Sequence, residues 1–461
     1  METHMLNRHP ACAASCQPPC FSGRPLPAPA PASSCSAPHP LLAAMRGECT
    51  AALRTQRMPT MRNEEYRFTD ITPILQTVPR LAEGAPADVE AEARQHPLEG
   101  ACARVVVVDG AVDPALCNLG SLPDGVYLGP LAGAPAELVS AHLGRQARER
   151  GSPFALLNGA VAHDVACLLL PEGVELKAHV HVLYLSTGAA GAASTSAPRL
   201  LVVLGAGASA TLVEEFAGAG DAGAYFCNAV AEIVLGEDAC LVHGYVQLEA
   251  RAALHMKATL VAQAARSSYR QLEARLGGRL SRQDLGVEQG GEATDTVLRS
   301  FLLAGEAQLH DLHSKLHLQH PAGTAAQLHK CIVAAASGRG VFDGNVRVER
   351  LAQKTDAAQL SRNLLLVPRA TVNVKPNLQI VADDVKCTHG AAISDLEESQ
   401  LFYLQARGVD NATARRVLVY SFGAEVTAEL PGADLRARIQ AAVNQTLAAV
   451  VPLTDEALAA S

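Results

Sequence analysis

The residues best placed to do chemistry in this 461-residue chain sit close together near its C-terminal end, in the stretch VKCTHGA (385–391). If this stretch is a strand, Cys387 and His389 project from the same face, with α-carbons about 6.5–7 Å apart. A sulfur and an imidazole there can converge on one iron or one edge of an iron-sulfur cluster, since both donor types bind such centres. Two ligands are an incomplete set, which suits a site that must release what it holds. Lys386 and Thr388 point the other way, so Lys386 is poorly placed to lower the thiol pKa, while Gly390 permits close backbone approach by a partner. Taken alone, Cys387 would read as an inert buried thiol.

Three other constellations compete. His310, His313, His317 and His320 would align on one helix face and could ligate zinc. As a strand entering the Pro321 turn, the same segment puts His310 and His320 on one face and His313 and His317 on the other, leaving partly exposed or core-edge histidines. LLVVLGAGASA (200–210) runs a strand into Gly205-x-Gly207-x-x-Ala210, as in a dinucleotide-binding turn, and a nucleotide-dependent oxidoreductase is the alternative function it supports. Its continuation, TLVEEFAGAG, reads as another strand and turn instead of the long helix such a site needs. No GxxxxGK[ST], GxSxG or HExxH motif is present, so no ATPase or hydrolase chemistry is legible.

The elements that must position Cys387 and His389 follow from patterning. A net charge of -8 with basic residues spread along the chain excludes a nucleic-acid footprint. The longest apolar runs are strand-sized, so no membrane insertion is expected. Aromatics are 4% and Trp is absent, which predicts a core of Ala, Val and Leu in regular layers. Of the twelve cysteines, Cys12, Cys16, Cys20, Cys35 and Cys49 fall in the first 60 residues. The remaining seven are odd in number with no CxxC pair, which points to free thiols, a reducing compartment and no self-contained structural zinc site. Apart from Cys387, they read as packing.

Residues 1–60 contain only Glu2 and Glu48 as acids against five arginines, with a Pro-rich run at 25–32. That composition predicts a disordered organelle transit peptide, left out of the fold. Residues 61–152 read as a mixed helical and α/β cap, with helices over 82–95 and 136–150 around the strand 105–108. From 153 to 392, short aliphatic strands recur between Gly, Asn, Asp and Pro turns, without an Asn-Gly hairpin signal. This predicts a mainly β solenoid core, although no exact repeat period is visible. Residues 393–461 turn helical, with a capping box from Ser394 to Glu397, a stop at Gly408, Asp410 as the next N-cap and a break at Pro431-Gly432.

Three blocks carry a resemblance: VFDGNVRVERLAQKTDAAQLSRNLLL (341–366), KPNLQIVADDVKCTHGAAI (375–393) and LFYLQARGVDNATARRVLVYSFGAEV (401–426). They resemble the SufB/SufD family of iron-sulfur cluster assembly scaffolds, and weaker likeness extends through RFTD (67–70), LNGA (157–160) and GGRLSRQDL (277–285). VKCTHGA looks like the SufD branch. Tyr66 stands where the family often has Trp, Gln379 where an acid is common, and the segment from His320 to Lys330 looks shortened. The resemblance implies a right-handed parallel β-helix core with N-terminal α/β and C-terminal helical domains. It implies a non-catalytic scaffold subunit that pairs with SufB and the ABC ATPase SufC, the latter docking on the C-terminal helices, with a homodimer open to the isolated chain. It further implies a transient iron-sulfur cluster or iron held at the partner interface by Cys387 and His389, with no nucleotide bound by this chain. A plastid stroma location follows from the family and the N-terminal composition. Inside the matched block, the pairing of Cys387 with His389 favours a ligand role over an inert thiol.

Overall fold

The computed structural model describes residues 39–76, 80–81, 89–188, 194–219 and 223–450. The strands alternate between two parallel sheets. One sheet stacks Ala166–Leu170, Arg199–Leu204, Tyr225–Leu235, Leu254–Gln263, Leu280–Gln289, Leu309–Leu318, Arg339–Val348 and Thr371–Ile380. The other stacks Ala101–Val108, His179–Thr187, Ser209–Ala219, Cys240–Gln247, Ser268–Arg275, Asp295–Ala304, Thr324–Val333, Asp356–Leu365 and Lys386–Ser394. Each coil adds one strand to each sheet, so the chain winds a β-solenoid, in agreement with the sequence reading. Leu254, Leu280, Leu309, Arg339 and Thr371 are register neighbours in successive coils, 26, 29, 30 and 32 residues apart. A coil length that drifts in this way leaves no fixed period in the sequence.

One corner of the solenoid has a repeated construction. Gly207, Asp238, Arg266, Ala293, Ala322 and Lys354, one per coil, all adopt positive φ between 53° and 66°. The backbone N–H of each donates across to the next coil: Gly207 to Glu237, Asp238 to Ala265, Arg266 to Glu292, Ala293 to Pro321, Ala322 to Gln353 and Lys354 to Asp384. The ladder satisfies corner amides that would otherwise lack partners. Gly205–Ala210 is therefore one corner of the stack: Gly207 supplies the left-handed residue, and the chain continues as the strand Ser209–Ala219. No helix N-terminus follows, so the phosphate-binding geometry required by a dinucleotide site is missing.

The solenoid interior departs from the aliphatic core expected. Its main cluster is rich in Val, Leu and Ala, but it encloses a row of buried polar groups. Glu214 accepts from the Tyr184 hydroxyl at 2.8 Å and Lys257 Nζ at 2.6 Å, and lies 2.9 Å from His243 Nε2. Burial alone would raise Glu214, but the Lys257 ammonium and His243 bring its carboxyl down to about 2. Rings add a second layer, with Tyr184 stacked on Phe216 at 4.2 Å and His329 on Phe342 at 4.4 Å.

At the N-terminal end, residues 40–54, which the sequence reading left out of the fold with the rest of 1–60, are folded. Pro40–Arg54 is a helix whose Leu42, Met45, Cys49 and Leu53 are buried against the helix Pro153–Val161. Apolar residues at positions 42, 45, 49 and 53 form a helical stripe despite the Ala- and Arg-bearing composition. Gly159 permits this approach, because a Cβ there would lie 2.5 Å from Cys49 Sγ. Residues 1–38 and 82–88 lie outside the described residues. The helix expected over 136–150 is two helices, Ala136–His142 and Arg145–Arg150, parted at Gly144 with φ 75°. The matched segment 277–285 meets the residues just ahead of RFTD: Arg282 lies 3.9 Å over the Tyr66 ring and donates to the Glu65 carbonyl at 2.7 Å.

Sheet faces at the C-terminal side are covered by Asn411–Thr427 and Ala433–Val450. Asp410 caps the first, accepting from Thr413 N at 2.9 Å, and Gly408 and Gly432 carry the left-handed turns before each. The preceding helix starts later than the capping box predicts. Ser394 is the last residue of its strand, and Glu398–Gln405 forms the helix without a side-chain cap. Strand pairing of 386–394 with Asp356–Leu364 wins over the local cap. No helix among the described residues is long and apolar enough to cross a membrane.

Candidate functional site at the open end of the solenoid

Cys387 and His389 lie on the final strand, paired in register with Ala357 and Gln359 of the coil beneath. Among the described residues, no strand pairs the other side of Lys386–Ser394, or of Thr371–Ile380 beside it. Both sheets therefore end together and present unpaired backbone edges. Pro376, which could not donate to a further strand, occupies the second edge. Ile380, Val381 and Ile393 are exposed at the same end.

Alternation along the strand puts Cys387 and His389 on one face. Cys387 is half-buried and packs on the last layer of the solenoid core, whereas His389 is exposed. His389 also borders a shallow groove of about 460 Å³ whose lining includes Arg299, Gln359, Arg362 and Glu425. Burial pushes the Cys387 thiol above its usual range, and Asp356 adds to that; an amide hydrogen bond from Ala357 opposes it only in part. The site thus offers a neutral thiol and an imidazole in a place open to a second chain.

The histidine quartet does not converge. His310 is fully buried inside the solenoid, His313 is 3.1 Å from Asp311, His317 is 2.9 Å from Glu349, and His320 lies exposed beyond the strand end. The segment is a strand, as the second reading had it, but His320 lies past its end and His310 is fully buried instead of partly exposed or at a core edge. The eight cysteines among the described residues are all free. Cys167 and Cys331 are buried packing residues, as expected, while Cys240 is exposed.

Cys227 is different. Its neighbour in the next coil is His255, and Cys227, Glu249 and His255 bring one ligand atom each to within 4.8 Å of one another. Among the described residues, this is the one group of three or more His, Cys, Asp or Glu side chains spaced to hold a metal ion. Searching along single strands misses it, because the partners lie one coil apart; the offset of 28 residues between Cys227 and His255 would reveal it only once the coil length is known.

The description "SUF system FeS cluster assembly, SufBD core domain" matches residues 184–422, and "SufBD protein N-terminal region" matches residues 32–182. The chain is 43% identical over 402 residues to the protein ABCI7, chloroplastic, of Arabidopsis thaliana, covering 85% of this chain and 83% of that protein. It is 36% identical over 403 residues to an iron-sulfur cluster assembly SufBD family protein of Synechocystis, covering 85% and 88%. The iron-sulfur cluster assembly protein SufD of Escherichia coli is 28% identical over 393 residues, covering 85% and 89%. With its two matched regions spanning solenoid and N-terminal cap alike, the chain belongs to the SufBD family of iron-sulfur cluster assembly proteins.

Proposed function

We infer that this chain is a SufD-type, non-catalytic scaffold subunit, and that Cys387 and His389 supply half of a ligand set completed by a SufB-type partner. The observation that carries the reading is the open end of the solenoid, where unpaired strand edges and exposed apolar residues surround a sulfur and an imidazole on one face. A second solenoid can add its strands to such an edge, burying Ile380, Val381 and Ile393 and bringing further ligands to the iron. Iron and sulfide are cargo here, held by Cys387 and His389 on this side and released when the two chains shift. The sequence has no P-loop, so the energy for that shift comes from a separate ATPase of the SufC type. Phe402, Tyr403, Val417 and Tyr420, exposed on the C-terminal helices, form an apolar surface suited to it. The chloroplastic relative and the acidic-poor N-terminal composition support a plastid location, with the stroma as the compartment where the thiols stay reduced.

The test is co-expression with a SufB-type chain and a SufC-type ATPase. Cys387→Ala and His389→Ala are expected to leave the purified complex intact and to reduce cluster yield, read from visible absorbance and acid-labile sulfide, by tenfold or more. Normal yield from either variant rejects the site, and failure of the wild-type chain to co-purify with both partners rejects the scaffold reading.

A further inference from the structure

We propose that Cys227, Glu249 and His255 form a second, resident metal site inside the solenoid, taking a divalent cation of zinc-like chemistry. It lies five strand spacings from Thr371–Ile380 along the stack, which is about 24 Å, so it is separate from the open end.

All three side chains are buried. They come from different levels of the structure: Cys227 from the strand Tyr225–Leu235, His255 from the next strand of the same sheet, and Glu249 from the turn that joins the two sheets. Ligand atoms around a tetrahedral zinc are about 3.5 Å apart, so a set already within 4.8 Å closes by small side-chain rotations. The donor types agree with that geometry, one thiolate, one imidazole and one carboxylate, with a fourth position left for water.

The surroundings are built as a supporting shell. Tyr245 Oη lies 2.8 Å from His255 Nε2, leaving Nδ1 directed at Glu249, whose Oε2 is 2.7 Å away. Gln247 Nε2 donates to the same Glu249 oxygen at 2.9 Å. With a metal on Nδ1, His255 would donate its other N–H to Tyr245, the arrangement that fixes ring orientation at metal sites. Glu249 Oε1 is buried and makes no hydrogen bond of good geometry among the described residues, although the Tyr225 hydroxyl lies beside the carboxylate. A buried carboxylate oxygen left without such a bond is costly, and a cation bound there supplies a partner. Lys257, a cation that acts on Cys227, is already bound to Glu214 at 2.6 Å. On binding, Cys227 loses its proton to solvent and its thiolate, with the Glu249 carboxylate, neutralises the divalent charge.

Because the site is sealed, it fills as the coils close, and the test loads metal during synthesis. The full chain carrying Cys387→Ala and His389→Ala, which removes the open-end ligands, is expressed in medium supplemented with Co2+. About one cobalt per chain is expected to survive dialysis against EDTA, with a thiolate-to-cobalt charge-transfer band in the near ultraviolet. Adding Cys227→Ala is expected to abolish the band and to lower retained cobalt at least tenfold. Absence of the band in the parent, or its survival in the Cys227→Ala protein, overturns the proposal. Should Cys227→Ala fail to fold, X-ray absorption at the cobalt edge of the parent decides. One sulfur with nitrogen and oxygen donors supports the site, and a purely nitrogen and oxygen shell overturns it.

Discussion

Cys387 is a thiol, not a preformed thiolate, at neutral pH. Burial and Asp356 both hold its proton on, against a weaker amide hydrogen bond from Ala357. If Cys387 is the iron ligand proposed above, loading displaces that proton and binding tightens as pH rises. Alkylation of Cys387 by iodoacetamide, followed on its tryptic peptide, is expected to be slower at pH 7 than for an unhindered cysteine. The rate should climb about tenfold per pH unit up to and beyond the ordinary value of 9.0. Asp356→Asn should speed it modestly; a plateau below pH 8 would contradict the assignment. At this scale, Cys387 and His389 were legible because both lie on one strand, where a period of two places them together. Cys227 and His255 were not, because their contact depends on inter-coil register that no local pattern encodes.

The corner ladder belongs to the scale of elements. A non-glycine residue in the left-handed region costs about 1–2 kcal/mol, yet Asp, Arg, Ala and Lys take that place in five successive coils. The inter-coil N–H bond made at each corner holds them there. Replacing one with Gly removes the strain but loosens the unfolded chain by about 0.5–1 kcal/mol, so Ala322→Gly is expected to stabilise by about 0.5–1 kcal/mol. Ala322 is exposed with φ 58°, so cavity and packing effects do not intrude. A urea midpoint that falls in this variant would show that the corner is not strained. The same ladder explains what the sequence could and could not reveal about elements. Strands and their alternation were readable, since inward positions repeat every second residue. Gly205–Ala210 mimicked a nucleotide turn because a solenoid corner, like a phosphate loop, takes a residue of positive φ, and in this coil that residue is a glycine, Gly207. The Ser394 capping box was overridden, since pairing of a whole strand outweighs one local hydrogen bond.

For the molecule as a whole, the polar interior sets the response to acid. His310 and His329 are fully buried, and burial, aided by the nearby Arg275 cation, lowers each from the ordinary 6.5 to about 3. His255 also opposes protonation of His310, whereas Asp311 acts weakly the other way on His329. Both are neutral in the folded chain at pH 4–6 and protonated in the unfolded chain, so the unfolded state binds more protons. Their contribution is fully present above pH 6.5 and is lost as pH falls toward 3. Each depressed histidine costs up to about 1.4 kcal/mol per pH unit in that window, and the pair costs about 5 kcal/mol between pH 6 and 4. That is a large part of the 5–15 kcal/mol typical of a folded domain. The buried carboxylates Glu214, Glu215 and Asp311, which are all lowered by their cationic partners, begin to lose their stabilisation only below about pH 4.5. The histidines therefore act first. Neither His310 ring nitrogen has a hydrogen-bond partner, so His310→Leu removes a titrating group without orphaning another. Urea unfolding at pH 4, 5, 6 and 7 is expected to show stability falling below pH 6.5, with a slope in His310→Leu shallower by about one proton. Equal slopes in the two proteins would mean that the solenoid interior admits protons without unfolding, and that its polar row is a conduit instead of a sealed core.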